Sequence, residues 1–398
     1  MLRFTTAGES HGPAVTVVVE GLPHGVPVDR GAIDAELRRR QAGYGRGGRM
    51  SIEDDAVEIL SGVRHGRTLG SPVTLLVRNR DHQSWREAMS PDPQRGSQGG
   101  PQGPKSPRPG HADLPGAIKY LTRDLRDVLE RASARETAAR VAAGALVRPL
   151  LSRGGIEVRS HVIQIGTACV PPGPSIPWEE LAKAEQSPVR CAESGAAARM
   201  MVEIDRAQSR GDTVGGVFEV VARGAPVGLG AYSQWDRRLD GRLAQALMSI
   251  PSVKAVSLGA GFEAAALLGS CFHDEILHDP IRGLHRPTNR AGGVEAGLTN
   301  GEEVRLRAVV KPIPTLVIPL RSVEIDTLAP CPASYERSDT CVVPAAGVVG
   351  EAMVAWVLAD ALIEKVGGDS VSEFAAHLES TLGLSRGLLG PREPPPRS

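Results

Sequence analysis

At 398 residues and 41% hydrophobic, the chain can bury a substantial core, in one large domain or in two or three average ones. Lys+Arg and Asp+Glu are both 46, and the resulting zero formal charge argues against a general binder of nucleic acid or of membrane surfaces. Aromatics are only 3%, so the core must come from Val, Leu, Ile and Ala, while Gly 46 and Pro 31 imply many turns and long loops.

Near the N-terminus, Gly8-Glu9-Ser10-His11-Gly12 places a carboxylate, a hydroxyl and an imidazole between two glycines. Such a turn can present a histidine to a ligand, or it can be a polar turn before an edge strand. Val15 to Glu20 reads as a strand. Asp29 then caps a helix to about Gln41, with Ile33 and Leu37 on one face and Gly43 as its stop. Arg38, Arg39 and Arg40 suit the helix C-terminus. Arg46 and Arg49 lie in a glycine-rich loop, where arginine forks bind phosphate or carboxylate. Val57 to Ser61 and Val73 to Val77 read as strands paired around Arg64-His65-Gly66. From Ser90 to Gly110 the composition collapses into Pro, Gly, Ser and Gln, which implies a lid or linker. His111 stands where that loop re-enters the fold.

Apolar residues from Leu114 to Val128 recur at helical spacing. A second helix carries Ala138, Val141, Ala142, Ala145 and Leu146, and should stop near Pro149. Its small-residue face suits close packing on another helix. Arg131, Ser133 and Arg135 crowd its start, where cations oppose the dipole and a bound anion would explain them. Val158 to Ile165, Val217 to Ala222, Val253 to Leu258 and Val304 to Val310 read as strands. A short helix from Trp178 interrupts an irregular stretch, and Leu239 to Leu247 forms another helix. A long apolar helix covers roughly Gly347 to Lys365, and a short one begins near Ser370. Residues 386–398 form a Pro-rich tail expected to be disordered, after a single domain spanning 1–385. Strands and helices mix without strict βαβ alternation, so a single large α+β domain is expected.

Cys169, Cys191, Cys271, Cys331 and Cys341 are odd in number and contain no CxxC pair, which predicts free thiols in a reducing compartment and no metal site. The N-terminus lacks an apolar leader, and no run is expected to approach a membrane helix. Together these features predict a soluble cytoplasmic protein.

Three blocks carry a resemblance. Gly8 to Gly12 with Val17 to Pro23, Glu130 to Thr137 with Val141 to Gly144, and Arg337 to Pro344 with Gly350 to Met353 resemble, in order and spacing, the signatures of the chorismate synthases. The resemblance spans nearly the whole chain. It implies conversion of 5-enolpyruvylshikimate-3-phosphate to chorismate and phosphate, the last step of the shikimate pathway. That reaction is a 1,4-elimination that needs reduced FMN without net redox change. It also implies a helical layer between antiparallel sheets and a homotetramer. By the same resemblance, His11 and His111 match the two catalytic histidines. Asp339 matches a carboxylate near flavin N5. FMN contacts fall on Arg131, Ala132, Ser133, Pro251, Ser252, Ala296, Lys311, Pro312, Ile313, Pro314, Thr315 and Arg337. Arg40 and Arg46 match positions assigned to a nicotinamide cofactor, although, with Arg49, they suit an anionic substrate. NADPH would then be an indirect reductant acting through an external flavin reductase. The chain departs from the pattern at Pro251-Ser252, Ala296 and Pro314.

Other readings are weaker. A flavin or nicotinamide oxidoreductase would need a strand leading into GxGxxG, and Gly45 to Gly48 has the wrong pattern. A nucleic-acid binder lacks the positive charge and stacking aromatics, and a purely structural protein leaves Gly8 to Gly12 unexplained.

Overall fold

The computed structural model describes residues 1–47, 53–92, 103–279 and 283–389. Alternating valines make the first sheet. Its strands are β1 (Arg3–Ala7), β2 (Ala14–Glu20), β3 (Val57–Ser61) and β4 (Val73–Arg78), ordered β1-β2-β4-β3 and all antiparallel. Val15, Val17 and Val19 of β2 and Val73, Leu75 and Val77 of β4 bury the same face. The expected turn at His65-Gly66 is the tip of a small hairpin, Val63–Arg64 with Arg67–Thr68.

The second sheet contains β5 (Glu157–Ile165), β6 (Ala168–Cys169), β7 (Gly216–Arg223), β8 (Val253–Leu258) and β9 (Val304–Val310). Its order is β8-β9-β7-β5-β6, again antiparallel.

Helices accompany the sheets, and the central ones fill the space between them. They are α1 (Arg30–Gln41), α2 (Asp113–Tyr120), α3 (Leu125–Ala132), α4 (Thr137–Arg153), α5 (Ser194–Ser209), α6 (Leu239–Met248), α7 (Val343–Val366) and α8 (Val371–Leu389). Helix α4 packs on β2 and β4, α7 packs on β5 and β7, and the two helices pack on each other. The mixed α+β class and the helical layer between antiparallel sheets are therefore as expected.

Glycine permits the central helix contact. A Cβ at Gly144 of α4 would stand 2.5 Å from the Ala352 Cβ and 2.6 Å from its Cα on α7. Gly144→Val should therefore cost about 1–3 kcal/mol through overpacking. Urea unfolding measures this, and an unchanged midpoint would contradict the close packing.

The structure corrects several expectations. The run from Leu114 to Val128 is two helices, broken at Leu121, which is left-handed at φ 54. Asp124 accepts from Arg126 N and caps the second of them. The apolar stripe misled because Leu114, Ile118 and Leu121 are exposed. Pro149 does not stop α4, which runs on to Arg153 over the buried Leu150 and Leu151. Tertiary burial outweighs the lost N–H there. Helix α5 was missed, and α8 runs to Leu389, past the expected start of the tail at 386. Residues 390–398 lie outside the described residues. Helix α7 is long and apolar enough to cross a membrane, contrary to the reading of the sequence, but its most apolar stretch is 94% buried between the sheets.

Candidate active site

The Gly8 to Gly12 turn joins β1 to β2. Gly8 has φ 107, and a Cβ there would meet Ala14 O at 2.3 Å, so the tight return requires glycine. The turn is clamped by Asn79 at the end of β4, whose Nδ2 donates to Glu9 O at 3.0 Å and to Gly12 O at 2.7 Å. On its other side it meets α3. Ser10 N donates to Glu130 O at 2.9 Å, His11 N donates to Glu130 Oε2 at 2.7 Å, and Ser10 Oγ bonds Ser133 Oγ at 3.0 Å.

These contacts fix the imidazole of His11. Its Nδ1 lies 2.8 Å from Glu130 Oε1, and its ring lies 4.2 Å from that of Trp85. The Arg126 guanidinium lies over the Trp85 ring, 4.7 Å from its centroid, and reaches Glu130 at 3.2 Å. Burial would raise the Glu130 pKa, but hydrogen bonds and charge from His11, together with Arg126, hold it below the usual carboxylate range. An ionised Glu130 accepts from Nδ1–H, so the proton chemistry of the ring falls to Nε2.

His111 repeats the device just before α2. Its Nδ1 lies 2.5 Å from Asp113 Oδ1. Asp113 is fully buried and also accepts from Arg108 Nε at 2.8 Å and Nη2 at 3.0 Å, while Arg108 Nη1 donates to Thr315 at 3.1 Å. Burial pushes the Asp113 pKa up, but His111 and Arg108 outweigh it and hold the carboxyl well below its ordinary value.

Both histidines line one cavity of about 580 Å³. Arg40, Arg46, Arg108, Arg135, Lys311 and Arg337 give its wall cations, and Leu129, Ile250, Ala345, Ala346 and Val349 give it apolar surface. Asp339, also in the wall, is held by Gly47 N at 2.6 Å and Arg46 Nη1 at 3.0 Å. Arg40 and Arg135 share the buried Asp55, at 2.8 and 2.6 Å. Burial lowers the Lys311 pKa, with Lys254 adding repulsion.

The cavity gathers most of the residues singled out in the sequence: His11, Arg40, Arg46, His111, Ala132, Ser133, Pro251, Ser252, Lys311, Ile313, Pro314, Thr315, Arg337 and Asp339. Arg131, Pro312 and Ala296 do not line it. Arg131 instead donates to Thr6 O and Gly8 O. Together with the Arg135–Asp55 pair, this means that protein groups, and not a bound anion alone, account for the cations before α4. Arg49 lies outside the described residues, as do residues 93–102 of the expected lid. The lid's described end, from Lys105, is tied down: Ile325 N donates to Lys105 O, and Ser106 bonds Ser334 and Pro332. Among the described residues no cluster of His, Cys, Asp and Glu could hold a metal.

A family model described as chorismate synthase matches residues 2–363. The chain belongs to the chorismate synthase family. It is 57% identical to the chorismate synthase of Moorella thermoacetica over 369 residues, covering 93% of this chain and 95% of that one. It is 52% identical to that of Solibacter usitatus, covering 96% and 98%. A crystal structure of chorismate synthase superposes with a TM-score of 0.78 at 42% identity, covering 97% of this chain and 98% of the other.

Two departures from the chorismate synthase pattern fall on strained backbone. Ala296 has φ 49 and Ser252 φ 72, so a glycine at 296 would relax the turn. Sequence reasoning gave no role to Glu130, Asp113, Arg108, Asp81 or Trp85. Glu130 opens one of the quoted motifs, but its partnership with His11 is spatial, 119 positions apart, whereas Asp113 stands two residues after His111.

Proposed function

We propose that this chain catalyses the 1,4-elimination of phosphate from 5-enolpyruvylshikimate-3-phosphate to give chorismate. The observation that carries the reading is the pair of histidines, each with Nδ1 on an ionised carboxylate, facing one cation-lined cavity. The substrate carries a phosphate and two carboxylates, and the arginines offer donors in forks. One histidine delivers a proton from Nε2 to the departing phosphate, and the other holds a proton beside the cofactor. Asp339, which lines the same cavity, is the carboxylate we assign to take up a proton.

The residues present fit reduced FMN. Ile250, Pro251, Ile313 and Pro314 supply apolar lining, Lys311 and Thr315 supply donors for a phosphate, and Gly110 leaves room where a Cβ would touch Pro314 at 3.6 Å and Lys311 Nζ at 3.8 Å. Bound there, reduced FMN would supply transient electron density to the substrate as phosphate leaves. The chain's own residues bind, orient and move protons. We assign the reductant to an external flavin reductase, with NADPH acting indirectly. Arg40 suits a substrate anion better than a dinucleotide, because it is buried beside Asp55 and Thr137.

A homotetramer is supported by exposed apolar side chains between residues 262 and 284, Phe262, Leu268, Ile276 and Leu284. Cytoplasmic residence is supported by five free cysteines.

The test is anaerobic conversion of the enolpyruvyl substrate with chemically reduced FMN. Chorismate should form over many turnovers with the flavin still reduced. One flavin oxidised per chorismate would overturn the reading.

A further inference from the structure

Asp81 stands in the first turn of the segment Arg80–Trp85, directly after β4, and lines the cavity with His11, Trp85 and Arg135. It is 7% exposed, and its Oδ2 is enclosed without a hydrogen-bond partner among the described residues. The neighbouring carboxylates are all engaged. Asp55 accepts from Arg40 and Arg135, Glu130 from His11 and Arg126, Asp113 from Arg108, Glu336 from Arg126, and Asp339 from Gly47 and Arg46. Asp81 does not cap its own segment, which shows no side-chain cap. Arg40 Nε, in the same wall, is likewise buried and unpartnered. A buried carboxylate without a donor is costly, and folding alone does not explain its presence.

We propose that Asp81 accepts the hydrogen bond of the substrate's ring hydroxyl and so sets specificity for the hydroxylated ring. The inference rests on the function proposed above. The arginines answer the phosphate and carboxylates of the substrate. Its 4-hydroxyl is its one O–H donor at neutral pH, and among the described residues Asp81 is the cavity carboxylate with an oxygen left open to a donor. The terminal torsion of Asp is broad and two-fold, so either oxygen can meet the hydroxyl. The hydroxyl survives in the product, so Asp81 does no chemistry. It holds C4 and thereby orients the adjacent C3–O bond that breaks. Asp81 is a positioning residue.

The experiment compares the natural substrate with its 4-deoxy analogue, using full-length enzyme and chemically reduced FMN. In the wild type kcat/KM should favour the hydroxylated substrate by about 10- to 100-fold. In Asp81→Ala the natural substrate should lose that factor while the analogue does not, so the ratio falls towards one. In Asp81→Asn the amide oxygen still accepts, and the ratio should be intermediate; this variant decides the matter if Asp81→Ala fails to fold by circular dichroism. Equal losses on both substrates, with the ratio unchanged, would mark a structural role and overturn the proposal. A wild-type enzyme that converts neither substrate would overturn the proposed function instead.

Discussion

His111→Ala and His11→Ala should each lower turnover by about 10²–10⁴-fold, the usual worth of a positioned proton-transfer group. FMN and substrate dissociation constants should move by about tenfold or less, because the arginine forks carry most of the anion binding. The carboxylates sharpen the expectation. Glu130 and Asp113 both have depressed pKa values, so they are ionised above the ordinary carboxylate range and become protonated only as pH falls below it. Throughout the neutral range each therefore holds Nδ1–H and leaves Nε2 to act. Glu130→Gln and Asp113→Asn should cut kcat more than they raise KM, since the wrong tautomer is then populated. Because two coupled groups act together, the double histidine variant should lose less than the product of the single losses. Single-turnover kinetics with pre-reduced FMN at saturating substrate measure these effects, alongside circular dichroism for folding. A folded His111→Ala enzyme with near-normal turnover would remove that histidine from the mechanism.

What the sequence made legible follows from what is local. Strands β8 and β9 fall where their residues read as strands, and the Asp29 cap accepts from Gly31 N at 2.8 Å at the start of α1. The small-residue face of α4 announced a close helix contact, and Gly144 against Ala352 is that contact. The break at Leu121 was hidden because no glycine or proline marks it and the apolar spacing runs on through exposed residues. In the site, His11 and His111 were legible from their glycine neighbours. Their partners differ in distance along the chain. Asp113 is two residues from His111, whereas Glu130 is 119 positions from His11. No periodicity reports a pairing of that range, and Asp81 gave no signal at all, because its significance lies in an oxygen left without a partner among the described residues.

Glu351→Ala should cost about 3–5 kcal/mol, a large share of the stability of an ordinary domain. Glu351 lies in the middle of α7 and is 1% exposed. Its carboxylate accepts from Arg39 twice at 2.9 Å, from Arg148 and Arg190 at 3.0 Å, and from Ser160 N and Oγ at 2.9 and 2.7 Å. One side chain thus ties α1, α4, α7 and β5 together. Glu36 and Glu185 complete the neutralisation of the three arginines. Removing Glu351 leaves the buried Arg190 and the half-buried Arg39 and Arg148 facing one another, which is why the loss exceeds that of an ordinary hydrogen bond. Burial would raise the Glu351 pKa, yet the charges of Arg39, Arg190 and Arg148 win and hold it below its ordinary value. Glu185, in the same cluster, is lowered to about 2 by Arg39 and Arg190 against the same opposing effect of burial. For a depressed carboxyl, the stabilisation is complete above the unfolded pKa and is lost as pH falls through the folded one. The wild type should therefore lose stability between about pH 4.5 and pH 2. Glu351→Gln, which keeps the shape but carries no proton-linked charge, should be less stable at pH 7 and show a flatter decline over that window. Urea midpoints measured from pH 7 downwards test this, and parallel curves for wild type and Glu351→Gln would refute the assignment of acid sensitivity to this cluster.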